Sequence, residues 1–193
     1  MAAISPTAIH LTPQQLRELT DARVAHKYVR RAIAVATFDG WTVAAFAIAN
    51  CLCGLADLPS MIIGLALGGV AYVEIRGASQ LRRLDLSAPR RLGFNQILLG
   101  TLLVVYAIWQ IYEHLHGPAR FAEITQADAR VGKRFEDMFR SLAVAIYGCL
   151  IIFAIVAQGG AALFYFTREK YLKDYRQRTA AWILQMQQTG VMV

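Results

Sequence analysis

One carboxylate, Asp39, lies within a run of small and apolar residues, 34–50, whose composition is typical of a membrane-spanning helix. A charged side chain at the centre of a bilayer costs about 2.5–3.5 kcal/mol on insertion scales, so such side chains usually face protein or water. Intramembrane carboxylates often line the paths of ions and protons. Polar side chains also join helices through hydrogen bonds. Asp39 is therefore a candidate for an ion or proton site, or for a buried hydrogen-bond network.

Other polar side chains are expected at the depth of Asp39 once the hydrophobic segments are laid side by side. Asp39 follows Arg31 by eight residues, which is about 12 Å along a helix. The groups at similar depth are Glu74 and Arg76 on the second segment, Asn95 and Gln96 on the third, and Gln158 on the fourth. Clustering them is the least costly arrangement in a membrane. We therefore predict that Asp39 shares its layer with Glu74, Gln96 or Gln158.

A second polar level is predicted further along the same helices. Asn50 comes eleven residues after Asp39, about three turns on and so on nearly the same face. Gln110, on the third segment, is expected at similar depth. That segment carries a stripe with alternating steps of four and three residues: Gln96, Gly100, Leu103, Ala107, Gln110 and His114. Such a stripe faces protein or water, and it predicts either a packing seam or the lining of a pore.

Small residues at four-residue spacing predict where helices approach one another closely. Ala36 and Gly40 belong to such a seam on the first segment. Gly64 and Gly68 form a G-x-x-x-G pair on the second, and Gly100 lies in the stripe of the third. The pattern is compatible with contacts within one chain or between chains.

The sequence offers no support for catalysis or metal binding. His114 and His116 lie on different helix faces, with no third ligand at a useful spacing, whereas a zinc site needs three or four protein ligands. The serines have no histidine partner that could activate them. We therefore predict no enzyme activity, no catalytic or metal-binding residues, and no cofactor.

The elements that must position the polar residues are four hydrophobic segments. The composition is 56% hydrophobic and only 17% charged, and a helix needs about 20 mostly apolar residues to cross a bilayer. Backbone polar groups in lipid must be satisfied within the segment, which excludes open strands. The predicted spans are about 33–55, 58–78, 94–115 and 142–166. We predict an all-α polytopic membrane protein, a four-transmembrane-helix bundle of residues 32–166.

The basic residues predict the orientation of the bundle. The N-terminal tail, the loop between spans two and three, and the C-terminal tail each carry five Lys or Arg residues, whereas residues 116–141 carry five and the first loop none. Positive charge favours the cytoplasmic side, so both termini are predicted there. Phe164, Tyr165 and Phe166 are expected as aromatic anchors at that face. Arg outnumbers Lys 16 to 4 in an Ala-rich chain, which favours a bacterial inner membrane.

Helical extensions are predicted on both sides of the bundle. Thr12-Pro13-Gln14-Gln15 is a capping box with Pro at the first helical position, so residues 1–31 should contain an amphipathic helix running up to or into the first span. Residues 167–193 are expected to form a basic helix. It would either lie on the anionic leaflet or gather subunits or a soluble partner. The residues proposed for these contacts are Arg82, Arg83, Arg90, Arg91, Tyr175 and Trp182.

Of three function classes that remain open at this level, two are favoured over the third, a membrane enzyme or cofactor protein. The first is a homo-oligomeric ion channel or pore lined by Asp39, Asn50, Glu74, Gln96, Gln110 and Gln158. The second is a non-catalytic scaffold or accessory subunit that presents its basic helices to a cytoplasmic protein. Besides the lipid bilayer, the expected partners are further copies of the chain. Nucleic acid is not expected, because the basic residues cluster at the ends of hydrophobic segments and form no basic folded face.

Overall fold

The structure is a computed structural model that describes residues 12–55, 58–118 and 129–188. Helices occupy nearly all of that part of the chain, and no strand occurs within it. The helices are α1 (Pro13–Cys53), α2 (Leu58–Arg82), α3 (Ala88–His116), α4 (Ala129–Arg178) and α5 (Ala181–Gln188). The first four are each long and apolar enough to cross a membrane. The predicted all-α class is confirmed, together with four helices of the required length and composition.

Helix α1 is a single helix of 41 residues, so the predicted N-terminal helix and the first span are continuous. Its start is set by the capping box. The Thr12 hydroxyl accepts a hydrogen bond from the Gln15 amide at 3.3 Å, and the Thr12 amide donates to Gln15 Oε1 at 2.9 Å. These bonds satisfy two of the free donors at the helix terminus. Pro13, the first helical residue, has no amide hydrogen to satisfy.

The C-terminal extension differs from the single helix that was predicted. Helix α4 runs for 50 residues and ends at Arg178, and a separate helix, α5, begins at Ala181. The break at Thr179–Ala180 lets α5 turn back so that Ile183 is buried. The basic segment therefore forms two helices, and Ile183 on the second of them joins the buried residues near the chain termini.

The helices associate as two antiparallel pairs. In the first helix pair, α1 and α2, a Cβ on Gly40 would lie 3.2 Å from Glu74 Cβ, and a Cβ on Gly64 would lie 3.0 Å from the Ala47 carbonyl. In the second helix pair, α3 and α4, a Cβ on Gly100 would lie 3.1 Å from Gln158 Cβ. Contacts between the two pairs are less extensive than contacts within them.

A tight turn joins the two pairs on the side of the described termini. Leu84 has a φ of 60°, a left-handed conformation that costs a leucine roughly 1–2 kcal/mol. The Asp85 amide donates to the Gln80 carbonyl and the Leu84 amide to the Leu81 carbonyl, at 3.1 and 3.0 Å. This is the Schellman pattern that usually has glycine at its left-handed position. Leu84 is only 1% exposed, and its burial offsets the strain.

Two groups of buried apolar residues hold the pairs together. The mid-span cluster consists of Val43, Ala47, Leu67, Val70, Ala71 and Leu99. The terminal-side cluster joins all five helices and includes Val29, Ala36, Leu81, Leu92, Leu172 and Ile183. Together they extend from the middle of the spans to the helices that carry the chain termini.

Candidate functional site

A cluster of five polar residues lies between the two groups of apolar residues, where the two helix pairs meet. Glu74 of α2 is at its centre and is only 1% exposed. Its carboxylate accepts hydrogen bonds from Asn95 Nδ2 at 2.7 Å, Gln96 Nε2 at 3.1 Å and the Tyr165 hydroxyl at 2.9 Å. The fifth member is Asp39. We call these five residues the polar cluster.

Asp39 joins the cluster through an amide that it shares with Glu74. The side-chain nitrogen of Gln96 donates one hydrogen to Asp39 Oδ2 and the other to Glu74 Oε1. Asn95 similarly donates to Glu74 Oε2 and to the Val70 carbonyl, the latter at 3.1 Å. Both amide groups have thus used their two hydrogens. Asp39 itself is half-buried.

Close helix packing places the two carboxylates at the same level. A Cβ on Gly40 would lie 2.8 Å from Ile75 Cγ1, so the next residue after Asp39 must be small for α1 to approach α2. Ala36, one turn earlier on α1, is fully buried. A Cβ on Gly77 would lie 2.5 Å from Leu92 Cδ2, and this approach brings α3 toward α2. Small residues therefore allow the close helix approach that places the acidic residues and the amides at the same depth.

The two helix pairs make different chemical contributions to the cluster. The first pair supplies both carboxylates, whereas the second supplies only amide and hydroxyl groups. In the described part of the chain, no Lys, Arg or His side chain hydrogen-bonds or ion-pairs with Asp39 or Glu74. If both carboxylates were ionised, the cluster would hold two negative charges with only neutral donors around them. Burial of uncompensated charge is strongly unfavourable.

One acceptor in the cluster has no partner. Gln96 is 1% exposed and its Oε1 atom forms no hydrogen bond. Most buried polar atoms in proteins are paired. This oxygen belongs to the same amide whose nitrogen donates to both carboxylates. The cluster therefore contains one buried oxygen acceptor that receives no hydrogen bond.

Apolar residues close the cluster along the helix axes. Asp39 lies between Ala36 and Val43, and Gln96 lies between Leu92 and Leu99, all four of which are buried. On α2, Glu74 likewise lies between buried Val70 and buried Ala78. In this conformation, and within residues 12–55, 58–118 and 129–188, the polar cluster does not continue as a polar path along the interior of a single chain.

The structure thus brings together three of the six residues proposed for an ion path: Asp39, Glu74 and Gln96. The other three lie elsewhere. Asn50 donates to the Phe46 carbonyl of its own helix at 2.9 Å, and Gln110 donates to the Tyr106 hydroxyl, also at 2.9 Å. Gln158 packs its side chain against Gly100. The third-span stripe is a packing seam over part of its length, because Ala107 is fully buried and Gly100 faces α4.

Tyr165 is the member that sequence analysis placed differently. It was expected as an interfacial anchor, yet it is fully buried and bonds Glu74. A signal was available, because Tyr165 follows Gln158 by seven residues and so shares its helix face. Asn95 was recognised at the right depth but was not included among the path residues. Adjacent residues on a helix lie about 100° apart around its axis and rarely contact the same side chain. Only the tertiary structure therefore shows that Asn95 and Gln96 both donate to Glu74.

Of the residues predicted to pack helices, Gly68 behaves differently from the others. A Cβ on Gly64 would meet Cys51 Sγ at 2.6 Å, whereas a Cβ on Gly68 would meet nothing within 4 Å in the described structure. Gly64 therefore packs within the chain and Gly68 does not.

The residues proposed for surface or partner contacts fall into two groups, exposed arginines and aromatic residues that pack within the chain. Arg82, Arg83, Arg90 and Arg91 are exposed. Tyr175 is only 1% exposed, and its hydroxyl donates to Gln187 at 2.9 Å. Trp182 is half-buried and its indole donates to Glu18 Oε2 at 3.1 Å. These two aromatic residues join the C-terminal helices to one another and to α1.

Among the described residues, no group of three or more His, Cys, Asp or Glu side chains is arranged to hold a metal ion. Comparisons of the chain with protein families, with curated proteins and with solved structures found no match. Function must therefore be inferred from the polar cluster and from the surfaces of the chain.

Proposed function

We propose that this chain is a homo-oligomeric membrane protein that binds a cation, either a proton or a monovalent metal ion, at the polar cluster as one step of an ion pathway. The observation that carries the proposal is the sharing of one Gln96 amide by two carboxylates, Asp39 and Glu74. No cationic side chain of the described chain balances them.

The electrostatic reasoning is simple. Each ionised side chain within a bilayer costs about 2.5–3.5 kcal/mol on insertion scales, and two like charges that share one donor also repel each other. A bound cation removes one net charge. Its available ligands are the two carboxylates and the unpartnered Gln96 Oε1. Oxygen ligands of this kind suit hard cations and protons.

The position of the cluster suggests how ion binding would be coupled to movement. Its hydrogen bonds connect the carboxylates of the first helix pair with donors of the second. Bonds to an ionised carboxylate are about twice as strong as bonds to a neutral group. Protonation of a carboxylate therefore weakens the attachment between the pairs, and a bound metal ion would weaken it by competing with the amide and hydroxyl donors for the same oxygen atoms. Opening at this junction would give the ion access past the apolar residues on either side.

This proposal includes the topology predicted from the charges: a four-helix transmembrane bundle in a bacterial inner membrane with both termini cytoplasmic. Reporter domains fused after Val193 and inserted at Pro118 are expected to report opposite compartments. If both fusions reported the same compartment, the predicted topology would be wrong. Mass measurement in nanodiscs should exceed the 21.4 kDa of one chain, and a monomer alone would contradict the oligomer.

Ion flux into proteoliposomes tests the central claim. We expect the native chain to carry a proton or alkali-cation flux that Glu74→Gln abolishes and Asp39→Asn reduces or makes independent of pH. Both changes keep an oxygen acceptor, so the helices should still associate. Asn50→Ala is the matched control, because among the described residues the Asn50 side chain donates to a carbonyl of its own helix and makes no bond to the polar cluster. Native flux at the level of empty liposomes, or flux unchanged in both variants, would overturn the proposal.

The scaffold function is a second candidate, supported by a different observation. The start of α1, the end of α4 and α5 pack together outside the predicted spans, with Tyr28 and Tyr171 stacked at 5.0 Å and His26 near Tyr175 at 5.4 Å. We define this as the terminal unit. A chain without ion flux, but with a partner bound to the terminal unit, would favour the scaffold.

A further inference from the structure

A groove of about 810 Å³ runs along the outside of the terminal unit, between the first turns of α1 and helix α5. Its apolar lining includes Leu16, Leu19, Val24 and Ile183. Leu16 and Val24 are 52% and 68% exposed. Apolar side chains this exposed, outside the predicted spans, mark a surface that can bind another molecule.

Basic residues form one wall of the groove. Arg23, Lys27 and Arg30 follow each other at steps of four and three, so they lie on one helix face, and all three are exposed. None of them has an acidic partner among the described residues. Asp21 comes two residues before Arg23 and therefore points to nearly the opposite face. The wall thus carries three uncompensated positive charges.

The remaining polar groups of the groove add no negative charge. Glu18 carries a negative charge but is not part of the lining, and its carboxylate accepts a hydrogen bond from the Trp182 indole. Burial lowers the pKa of the His26 imidazole, and the nearby Arg30 lowers it further. His26 therefore carries less positive charge at neutral pH than an ordinary histidine. Thr20 and Gln187 complete the polar part of the lining.

The length of the groove distinguishes a protein occupant from a lipid headgroup. Leu16 and Arg30 are fourteen residues apart, or about 21 Å along the helix. Arg30 lies three residues before the predicted first span, whereas the headgroup layer on each side of a bilayer is only about 5–8 Å thick. Most of the groove would therefore lie beyond the lipid headgroups.

We propose that this groove binds an acidic amphipathic helix of a cytoplasmic partner protein. The apolar side of such a helix would cover Leu16, Leu19 and Ile183. Its glutamates or aspartates would meet Arg23, Lys27 and Arg30. Amphipathic helices commonly bind in apolar grooves through residues spaced by three and four. The inference is independent of ion binding, because the groove and the polar cluster share no residue.

The test is binding of a labelled synthetic helix to the full chain in nanodiscs of zwitterionic lipid, followed by fluorescence anisotropy. The probe has leucines at three- and four-residue spacing and glutamates on its flanks. A second probe has lysines in place of the glutamates. We expect the glutamate peptide to bind at least about tenfold more tightly than the lysine peptide, which is about 1.4 kcal/mol.

Two variants locate the binding. Replacement of Arg23, Lys27 and Arg30 by glutamine is expected to weaken binding of the glutamate peptide at least about tenfold. Val24→Asp, a single change at an exposed position, should also weaken it. The matched control replaces Arg130, Lys133 and Arg134 by glutamine, an equal loss of charge at exposed positions at the start of α4 and outside the groove, and should leave binding unchanged.

Three results would overturn the inference. They are equal binding of the two peptides, native-like binding by the groove variants, and a loss of binding in the control variant as large as in the Arg23, Lys27 and Arg30 variant, which we call the groove triple. A fourth measurement tests a membrane-surface role. If the groove triple lost affinity for anionic vesicles while still binding the glutamate peptide, the basic wall would serve lipid and the proposed partner would be wrong.

Discussion

The spans differ in how each half uses its polar residues. In the half nearer the described termini, Gln96 and Asn95 bond carboxylates on other helices. In the far half, Asn50 and Gln110 bond groups of their own helices. Amide side chains therefore form hydrogen bonds between helices in the near half, whereas in the far half they form hydrogen bonds within their own helix. The number of polar residues in a span does not indicate how many of them hold helices together.

Apolar contacts follow the same division. The terminal-side cluster and the mid-span cluster lie in the half that contains the polar cluster or at its border. Apolar residues that are more than half exposed occur in both halves: Ile146, Ile152 and Phe153 on α4 in the far half, and Phe38, Phe94 and Leu163 in the near half. We infer that the near half attaches the two helix pairs, and that both halves present apolar surface to lipid or to another copy of the chain.

The largest effect is expected from Glu74→Leu. It leaves the donors of Asn95, Gln96 and Tyr165 without their shared acceptor, and each unsatisfied buried group costs about 1–3 kcal/mol. The free energy of unfolding should fall by about 3 kcal/mol or more, as measured by denaturant titration in detergent. Asn50→Leu is the control and should change stability little, because it removes a bond within one helix. Equal losses for the two variants would contradict the difference between the halves.

The G-x-x-x-G pair of α2 provides a second test. A Cβ on Gly64 would meet the backbone of Cys51 at 2.7 Å, and backbone cannot easily move aside. Gly64→Ala should therefore destabilise the chain by about 1–3 kcal/mol, as overpacking does.

Gly68→Ala is the matched change, four residues away in open space. It should be neutral, or stabilising by up to about 1 kcal/mol through helix propensity. If Gly68→Ala instead reduced the oligomeric mass without affecting the monomer, Gly68 would lie in a contact between chains.

A smaller effect is expected at Asp39. Asp39→Leu removes one of the two acceptors of the Gln96 amide, which keeps its bond to Glu74. The loss of stability should be near 1 kcal/mol, the usual net value of one hydrogen bond. Asp39→Asn keeps an oxygen acceptor and should be tolerated. A more stable and fully active Asp39→Leu chain would show that Asp39 serves neither the network nor an ion.

The smallest effect concerns the turn between the pairs. The Ser87 amide and hydroxyl both donate to Asp85 Oδ1 at 2.9 Å, and these bonds lower the pKa of Asp85 from its ordinary value of 3.8. A lowered pKa stabilises the fold above the ordinary value, and this stabilisation is lost as the pH falls through the lower, folded value. Ser87→Ala should therefore raise the pKa of Asp85.

NMR titration of the Asp85 carboxyl provides the measurement. The change in stability at neutral pH should stay below about 1 kcal/mol, because Asp85 is partly exposed to solvent. The native chain and the variant should become equally stable below the folded pKa. Ser87→Ala leaves the amide bond in place, so an unchanged pKa would show that the bond from the Ser87 hydroxyl does not form in solution.

Much of the fold was accessible from patterns along the chain. The capping box at Thr12 predicted the start of α1 at Pro13, and the hydrophobic stretches predicted four long apolar helices. The cost of intramembrane charge also predicted that Asp39 has polar neighbours. Depth along the helices indicated Glu74 and Gln96 as those neighbours. These inferences succeed because they depend only on helix geometry and on the transfer of side chains out of water.

Other features depended on contacts between helices that no local pattern encodes. Tyr165 has the residue type and position of an interfacial anchor, and only the packing of α4 against α3 and α1 brings its hydroxyl within hydrogen-bond distance of Glu74. Gly64 and Gly68 belong to one motif, yet their neighbours differ because only one faces α1. The groove beside Arg23 exists because the chain turns at Thr179 and brings α5 back to α1. The sequence by itself determined which segments are helices and how deep each polar group lies, since both follow from hydrophobicity and helix rise. The tertiary structure decided which groups meet, because that depends on the rotation of each helix about its axis and on the side chains packed between them.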